Sequence, residues 1–519
     1  MNSLPLLSIA LFLPLVGAFV VALMPKTGRS DLPKVVALGV SILTLVVVGV
    51  VAAGFDPGGD RFQFTETHVW IKVVGAHYAL GVDGIGLTLL MLTVIIVPIV
   101  MIASWHDAEG GRWSERSFFA WTLALESAAV GAFSSTDVFL FYVMFEAILF
   151  PAYFLIGGFG GLRRSYAAVK FLIFSLTGGL LMLGSVVGLY VVSARSSTGP
   201  TYLLSELTQI QMGTDVGRWL FLGFFIAFAI KAPLVPLHTW LPDAAEEATP
   251  GTAVLMVSIL DKIGTFGMIR YCLELFPEAS RWASPVVIIL AILSVLYGAL
   301  AAIGQRSIPR LIAYTSVSHF GFIVLGIFVL NSQGQSGSTL YMFNHGMSTA
   351  ALFLVAGFLI RRRGSDRISD YGGVEKVAPV LAGTFLVAGL SSLSLPGLSP
   401  FVSEFLVLLG AFSHAWWWGT AAIIGIVLAA LYILLMYQRT MTGPTVPAVA
   451  GLRDLSVREI ASLAPLLALI VVLGFFPKPL TAVVNPAVEA TLTQIGAKDP
   501  APAVPASATS RADRQEVSP

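Results

Sequence analysis

At 519 residues, with 56% in the hydrophobic set and 11% charged, the chain has less than half the charge density of a soluble domain, where roughly 25% of residues are charged, and this excludes a water-soluble globular fold. Thirty basic against 29 acidic side chains leave a formal charge of +1, without the cationic surplus that draws proteins to nucleic acid. The single cysteine, Cys272, excludes a disulfide framework, a cysteine-ligated iron–sulfur cluster and a multi-cysteine zinc site held by this chain.

Runs of about 20 apolar residues, long enough to cross roughly 30 Å of hydrocarbon, begin near residues 4, 34, 82, 115, 136, 168, 217, 250, 284, 309, 338, 377, 416 and 459. They predict an all-α integral membrane protein of about 14 transmembrane helices. The first run has no charged stretch before it and no small-residue cleavage site after it, so it reads as a retained span. Asp83 in LGVDGIGL and Asp137 in SSTDVFLF stand at helix starts, where a carboxylate meets the helix dipole, and read as caps. Glu126, a dozen residues into the fourth span, fits either a proton relay or a pairing with a neighbouring helix. Beyond residue 495 the composition turns to Ala, Pro, Ser and charge, which buries too little apolar area to order a chain; a disordered tail is expected over 495–519.

Short cytoplasmic loops carry the excess of Lys and Arg. With the N-terminus outside, the inward loops hold about eighteen cations, from Lys26 through Arg361, Arg362 and Arg363 to Arg458, and the outward loops only six. Both termini are therefore expected outside.

Proline pairs interrupt two spans. In KAPLVPLHTWLPDA, Pro233 and Pro236 cannot donate to the carbonyls of Ala229 and Ala232, so the helix should break beside Lys231. In LPGLSPFVSEF, Pro396, Gly397 and Pro400 do the same, free the carbonyls of Ser392 and Pro396, and leave Glu404 just beyond. Non-helical backbone at membrane depth is tolerated only where protein or a water-filled cavity satisfies it. Each break lies three complete spans after a matching start, 115 to 233 and 284 to 396, and the two starts are five helices apart. The spacing predicts an inverted repeat with its site at the broken helices, the alternative being a coincidence of common helix lengths and helical prolines. The expected organisation is 1–110 with helices 1–3, 111–275 as the first five-helix unit, 276–440 as the second, 441–494 as the last helix with its flanks, and then the tail.

Four ionisable residues fall at mid-depth, where an isolated charge costs from about 2.5 to over 10 kcal/mol: Glu146 in the fifth span, Lys231 in the seventh, Lys262 in the eighth and Glu404 in the twelfth. Each taken singly fits a structural ion pair. Spread over several helices, with His319 and His345 in consecutive spans between Lys262 and Glu404, they fit a proton path better, because imidazole titrates near neutral pH. His238 follows Lys231 by seven residues, but the intervening prolines leave their relative placement open.

At these residues the sequence resembles the antiporter-like membrane subunits of respiratory complex I, and within them the M type. The resemblance covers nearly the whole chain through LGVDGIGL, FYVMFEAILFP, KAPLVPLHTWLPDA, DKIGTFGMIR, RLIAYTSVSHFGF, FNHGMSTAALF, LPGLSPFVSEF and YQRTMTGP, in that order. It implies a proton channel of two inverted five-helix units, with Glu146 and Lys231 as a regulatory ion pair, Lys262 central, His319 and His345 connecting and Glu404 terminal. The glutamate at the terminal position is M-like, the sister subunits resembling one another in having lysine there. The resemblance further implies a bacterial plasma membrane location, neighbouring antiporter-like subunits, no cofactor in this chain, and flavin, iron–sulfur clusters and quinone in partner subunits. The chain departs from the pattern at Ala244-Ala245, where a loop histidine is usual, at Asp261 before Lys262, and at Ser307 and Pro309, where the family often has an acid and a lysine. Two other classes stay open: a subunit of an Mrp-type cation/proton antiporter, and a membrane redox protein holding haem between His319 and His345.

Overall fold

A backbone surrounded by hydrocarbon must satisfy its own polar groups, and a helix does so within itself; the computed structural model is accordingly helical almost throughout. It describes residues 4–24, 31–109, 113–196 and 199–500. The chain runs α1 (Leu6–Leu23), α2 (Leu32–Gly54), a hairpin of β1 (Gln63–Ile71) and β2 (Ala76–Val82), then α3 (Gly84–Ala103), α4 (Glu115–Ser134), α5 (Val138–Phe159) and α6 (Arg164–Ala194). It continues with α7 (Thr214–Lys231), α8 (Trp240–Glu247), α9 (Pro250–Leu273), α10 (Pro277–Ile303), α11 (Ile308–Phe328) and α12 (Ser332–Arg363). The last elements are α13 (Pro379–Ser392), α14 (Ser399–His414), α15 (Trp416–Met441), α16 (Val457–Phe475) and α17 (Lys478–Gln494).

Among the described residues, eleven helices are long and apolar enough to cross a membrane. The three other expected spans are α4, which carries Glu115, Arg116 and Glu126, and the discontinuous pairs α7/α8 and α13/α14. Both breaks fall where proline withdraws its donor. The Ala229 carbonyl freed by Pro233 accepts from the Leu234 amide at 2.9 Å, and the indole of Trp240 reaches back to the Ile230 carbonyl at 2.8 Å. In the second break Ser394 and Gly397 take left-handed backbone, φ 57° and 93°, and the Leu395 amide bonds the Leu390 carbonyl at 3.1 Å.

The loops sort onto two opposite faces, alternating along the chain when each discontinuous pair counts as one crossing. One face carries the hairpin, whose Gly75 carbonyl accepts from Tyr202, together with α17, which meets the 55–62 loop through Arg61 and Gln494 at 2.7 Å. The other face holds Lys34–Glu115 at 2.5 Å, Arg310–Asp243 at 2.6 Å and Arg362–Glu459 at 2.6 Å. Three of the cations assigned to this face, Lys26, Arg29 and Arg112, lie outside the described residues. The hairpin was not expected. Its turn needs Gly75, at φ 71°, where a Cβ would strike the Pro200 carbonyl.

Burial ranks the helices. The apolar window of α9 is 100% buried, against 28% for α2 and α16, so the charged residues of α9 sit at the centre of the molecule. Close packing there uses small residues, as in membrane helices generally: α10 and α11 meet where a Cβ on Gly298 or Gly321 would collide with the partner backbone. The expected tail is corrected at its start, since Ile495 is buried and Asp499 accepts from the Ser332 amide at 2.7 Å; 501–519 lie outside the described residues.

Candidate functional site

The helix that carries Lys262 is irregular on both sides of it. Turns of π-helix over Met256–Leu260 and Met268–Leu273 flank the α-helical Asp261–Gly267, an interruption of the hydrogen-bond ladder that is frequent at functional positions. The loosened turn offers a carbonyl: the Lys262 ammonium donates to Val257 O. Its second partner is His345 Nδ1 on α12, at 2.8 Å, and the Phe320 ring lies 4.7 Å from Nζ. Two hydrogen bonds and an aromatic face replace the water lost by a fully buried cation.

From His345 the polar groups continue without a break in burial. The His345 and His319 rings meet edge to face, centroids 5.1 Å apart, and the His319 ring lies 5.9 Å from that of Tyr341. Tyr341 donates to Glu404 Oε2 at 3.0 Å, and Ser394 donates to the same oxygen. Tyr341 precedes His345 by four residues on α12, which puts both on one face. The second break serves this path. It turns Ser394 toward Glu404, and it leaves the Ser392 carbonyl without its helical donor at Pro396. Lys262 engages Nδ1 of His345, and the His345 and His319 rings touch edge to face.

The other end is assembled differently. Lys231 is the last residue of α7, its ammonium 4.7 Å from the Phe145 ring and 5.8 Å from that of Phe171. Among the described residues Nζ has no hydrogen-bond partner, and neither has Glu146 Oε1. The ion pair implied by the resemblance is not closed: no Glu146 oxygen makes a salt bridge with Lys231, although the two charges act on each other through space. The physical reason is steric. Lys231 is drawn over Phe145, while the Glu146 carboxylate occupies the notch at Gly179, where a Cβ would collide with it. Asp261 is fully buried, makes no hydrogen bond through either oxygen among the described residues, and feels both Lys231 and Lys262. It stands between the two lysines as a third member of this cluster.

The remaining candidates resolve individually. Asp83 caps α3 through the Gly86 amide at 2.9 Å, and Asp137 caps α5 through the Leu140 amide at 2.9 Å. Glu126 takes a hydrogen bond from Ser41 of α2 at 3.1 Å, which is the neighbouring-helix pairing. His238 sits in the first break, packed on Tyr297 and Tyr314, and is not brought to Lys231. Two groups escaped the sequence reading. Tyr341 looks like packing in an apolar helix, its signal being only the four-residue spacing to His345. Arg270, fully buried, bridges Asp83 at 2.5 Å and Glu274 at 3.1 Å, and Arg61 joins Glu274 from the hairpin loop at 2.5 Å.

A family profile described as "NADH:quinone oxidoreductase/Mrp antiporter, TM" matches residues 135–430, a stretch that takes in all six relay candidates. The chain belongs to the NADH:quinone oxidoreductase/Mrp antiporter family. Within that family it is 52% identical to NADH-quinone oxidoreductase subunit M of Mycobacterium tuberculosis (strain ATCC 25618 / H37Rv), over 97% of each chain. It is 37% identical to the subunit M of Rhodobacter capsulatus, over 93% of this chain and 95% of that one. Among solved structures, a chain of respiratory complex I from Thermus thermophilus with bound NADH superposes with a TM-score of 0.86 at 31% identity, covering 94% of this chain and 100% of that one. A chain of the Mrp complex from Dietzia sp. DQ12-45-1b superposes at 0.83 and 20% identity, over 95% and 99%; that likeness shows the fold alone.

Proposed function

We propose that this chain is an M-type, antiporter-like membrane subunit of a proton-translocating NADH:quinone oxidoreductase and that it moves protons along Lys262, His345, His319, Tyr341 and Glu404. The observation that carries this reading is the 2.8 Å contact between Lys262 Nζ and His345 Nδ1 inside a fully buried core. A protonated lysine there can pass its proton to imidazole without crossing hydrocarbon. The His345 ring lies edge to face against that of His319, and Tyr341 hands on to Glu404. Glu146, Lys231 and Asp261 form the control end: a gain or loss of charge among them changes how strongly Lys262 holds its proton, an effect that low dielectric magnifies.

In this reading the chain crosses a bacterial plasma membrane fourteen times with both termini outside, and the cationic loop face looks to the cytoplasm. Segments 111–275 and 276–440 are the two inverted units. Antiporter-like subunits flank it within the complex, and the chain itself holds no cofactor; flavin and iron–sulfur clusters oxidise NADH in partner subunits, and quinone reduction there supplies the driving energy.

The test uses membrane vesicles containing the assembled complex. Lys262→Ala should abolish proton uptake driven by NADH oxidation, and wild-type uptake by an assembled variant would overturn the relay. The orientation is tested separately by an impermeant reagent applied outside intact cells, which should spare the Arg361–Lys376 loop and label the C-terminal end.

A further inference from the structure

On the face opposite the hairpin, a cavity of about 960 Å³ opens between the α10–α11 turn, the loop after α12 and the last turn of α15. Arg306, Arg310, Arg367 and Arg439 line it. Arg310 is already engaged, with Asp243 at 2.6 Å and Glu246 at 3.0 Å. The other three arginines form no ion pair among the described residues, and a single carboxylate outside that engaged pair, Asp366, stands in the wall with them.

The backbone pairs the segments that carry Arg306 and Arg367, whose side chains, like that of Arg439, are exposed. The Ile308 amide donates to Asp366 O and the Ile368 amide to Arg306 O, both at 2.9 Å, and Ser307 lies opposite Arg367 in an antiparallel bridge. Like charges fixed on paired backbone repel one another, and an anion between them reverses the sign of that interaction. Ser307 supplies a second, independent indication. It precedes α11 yet makes no side-chain cap, and although only 7% exposed its hydroxyl has no partner among the described residues. A buried hydroxyl of this kind in a cationic wall is a donor without an acceptor.

What lies above the cavity points to the source of the anion. The two long helices whose C-terminal ends frame it, α10 and α15, carry exposed apolar side chains along their shafts: Leu293 and Leu300 on the first, Val427, Leu431 and Leu434 on the second. Apolar walls leading to a basic pocket at the loop face match an acidic phospholipid, whose acyl chains follow the helices while the headgroup enters the pocket. We propose that this cavity binds the phosphate of an anionic phospholipid, held by Arg306, Arg367, Arg439 and the Ser307 hydroxyl.

The experiment uses the complete complex, purified with its native lipid, and compares wild type with the Arg306→Gln/Arg439→Gln double variant and with Ser307→Asp, which puts a carboxylate at the anion's place. The readouts are the phosphatidylglycerol and phosphatidylcholine retained per complex after exchange into a mixture of the two, with and without millimolar inorganic phosphate. Wild type should keep phosphatidylglycerol over phosphatidylcholine, and both variants should lose that preference several-fold. Displacement by inorganic phosphate, without any preference between the lipids, would overturn the lipid assignment in favour of a free phosphate. Equal retention of phosphatidylglycerol by wild type and both variants would overturn the site itself. Should the variants fail to assemble, a photoreactive phosphatidylglycerol applied to the wild-type complex must label the 304–307 or 439–442 peptides; labelling confined to other segments would equally refute the proposal.

Discussion

Between Lys262 and Glu404 the buried polar groups are hydrogen-bonded at both ends, lysine to imidazole at 2.8 Å, tyrosine to carboxylate at 3.0 Å and a serine to the same carboxylate, and His319 joins the two ends through ring contacts. Between Glu146 and Lys231 there is aromatic surface and no hydrogen bond, and Asp261 beside them is equally unbonded. Hydrogen bonds fix where a proton sits and which atom can take it next. Unbonded charges in low dielectric fix nothing by contact, but each raises or lowers its neighbours' protonation from several ångströms away. The bonded stretch is therefore suited to conduction and the unbonded one to control, and the two meet at Lys262.

Lys262 joins the two stretches, and its loss has the largest effect. Lys262→Met keeps volume and removes the shared proton donor, so NADH-driven proton uptake should fall to background in vesicles containing normally assembled complex. Glu404→Gln comes next: it is nearly isosteric, still accepts from Tyr341 and Ser394, and cannot titrate, so uptake should fall by about tenfold or more while assembly is unchanged. Glu404→Asp should recover part of it. Tyr341→Phe separates a conducting tyrosine from a packing one. Loss of one hydrogen bond, worth about 0.5–1.5 kcal/mol, corresponds to roughly a three- to tenfold lower rate, measured as initial proton uptake, and an unchanged rate would confine the path to the histidines.

Gly179→Ala sharpens the other side, because it alters no charge. The added methyl must push the Glu146 carboxylate out of its notch, and uptake should drop a few-fold if the placement of that charge matters to Lys231. Full activity in the assembled complex would show that its position is not critical. The smallest effect concerns Asp137, the cap of the helix that carries Glu146. Burial raises its carboxyl to about 6 against the amide hydrogen bonds from Leu140 and His77. The folded form then holds its proton longer than the unfolded chain, so stability falls as pH rises from about 4 to about 6 and is level above that, by at most about 3 kcal/mol. Thermal unfolding of the detergent-solubilised complex should show this slope, and Asp137→Asn should flatten it.

The sequence made legible whatever a single residue dictates locally. Proline's missing donor located both breaks to the residue, and the cost of buried charge marked Glu146, Lys231, Lys262 and Glu404. Contacts across helices were beyond its reach. The separation of Lys231 from Glu146 depends on Phe145 and Gly179, residues from two different helices whose composition says nothing of the gap they define. Tyr341 became a bridge only when the second break delivered Glu404 to it. Arg270 lies three residues beyond Gly267 in a run that reads as ordinary packing, and its partner Asp83 is nearly two hundred positions away. The hairpin was missed because its turn depends on Gly75 lying against Pro200, a contact that no local pattern announces.

The two widened turns of α9 bear on which changes this helix can tolerate. Each π turn accommodates one residue more than an α turn, so everything beyond it is rotated by about 100° from where a regular helix would place it. Lys262, just beyond the first of them, meets α12 at His345, and Arg270, within the second, reaches Asp83 at the head of α3. Apolar exchanges within Met256–Leu260 should therefore be absorbed by repacking. Deletion of any one residue there would restore regular geometry and swing the lysine to another neighbour, with a change in overall length of only about 1.5 Å. The spacing of α9, more than its composition, keeps the central ammonium in register with its imidazole.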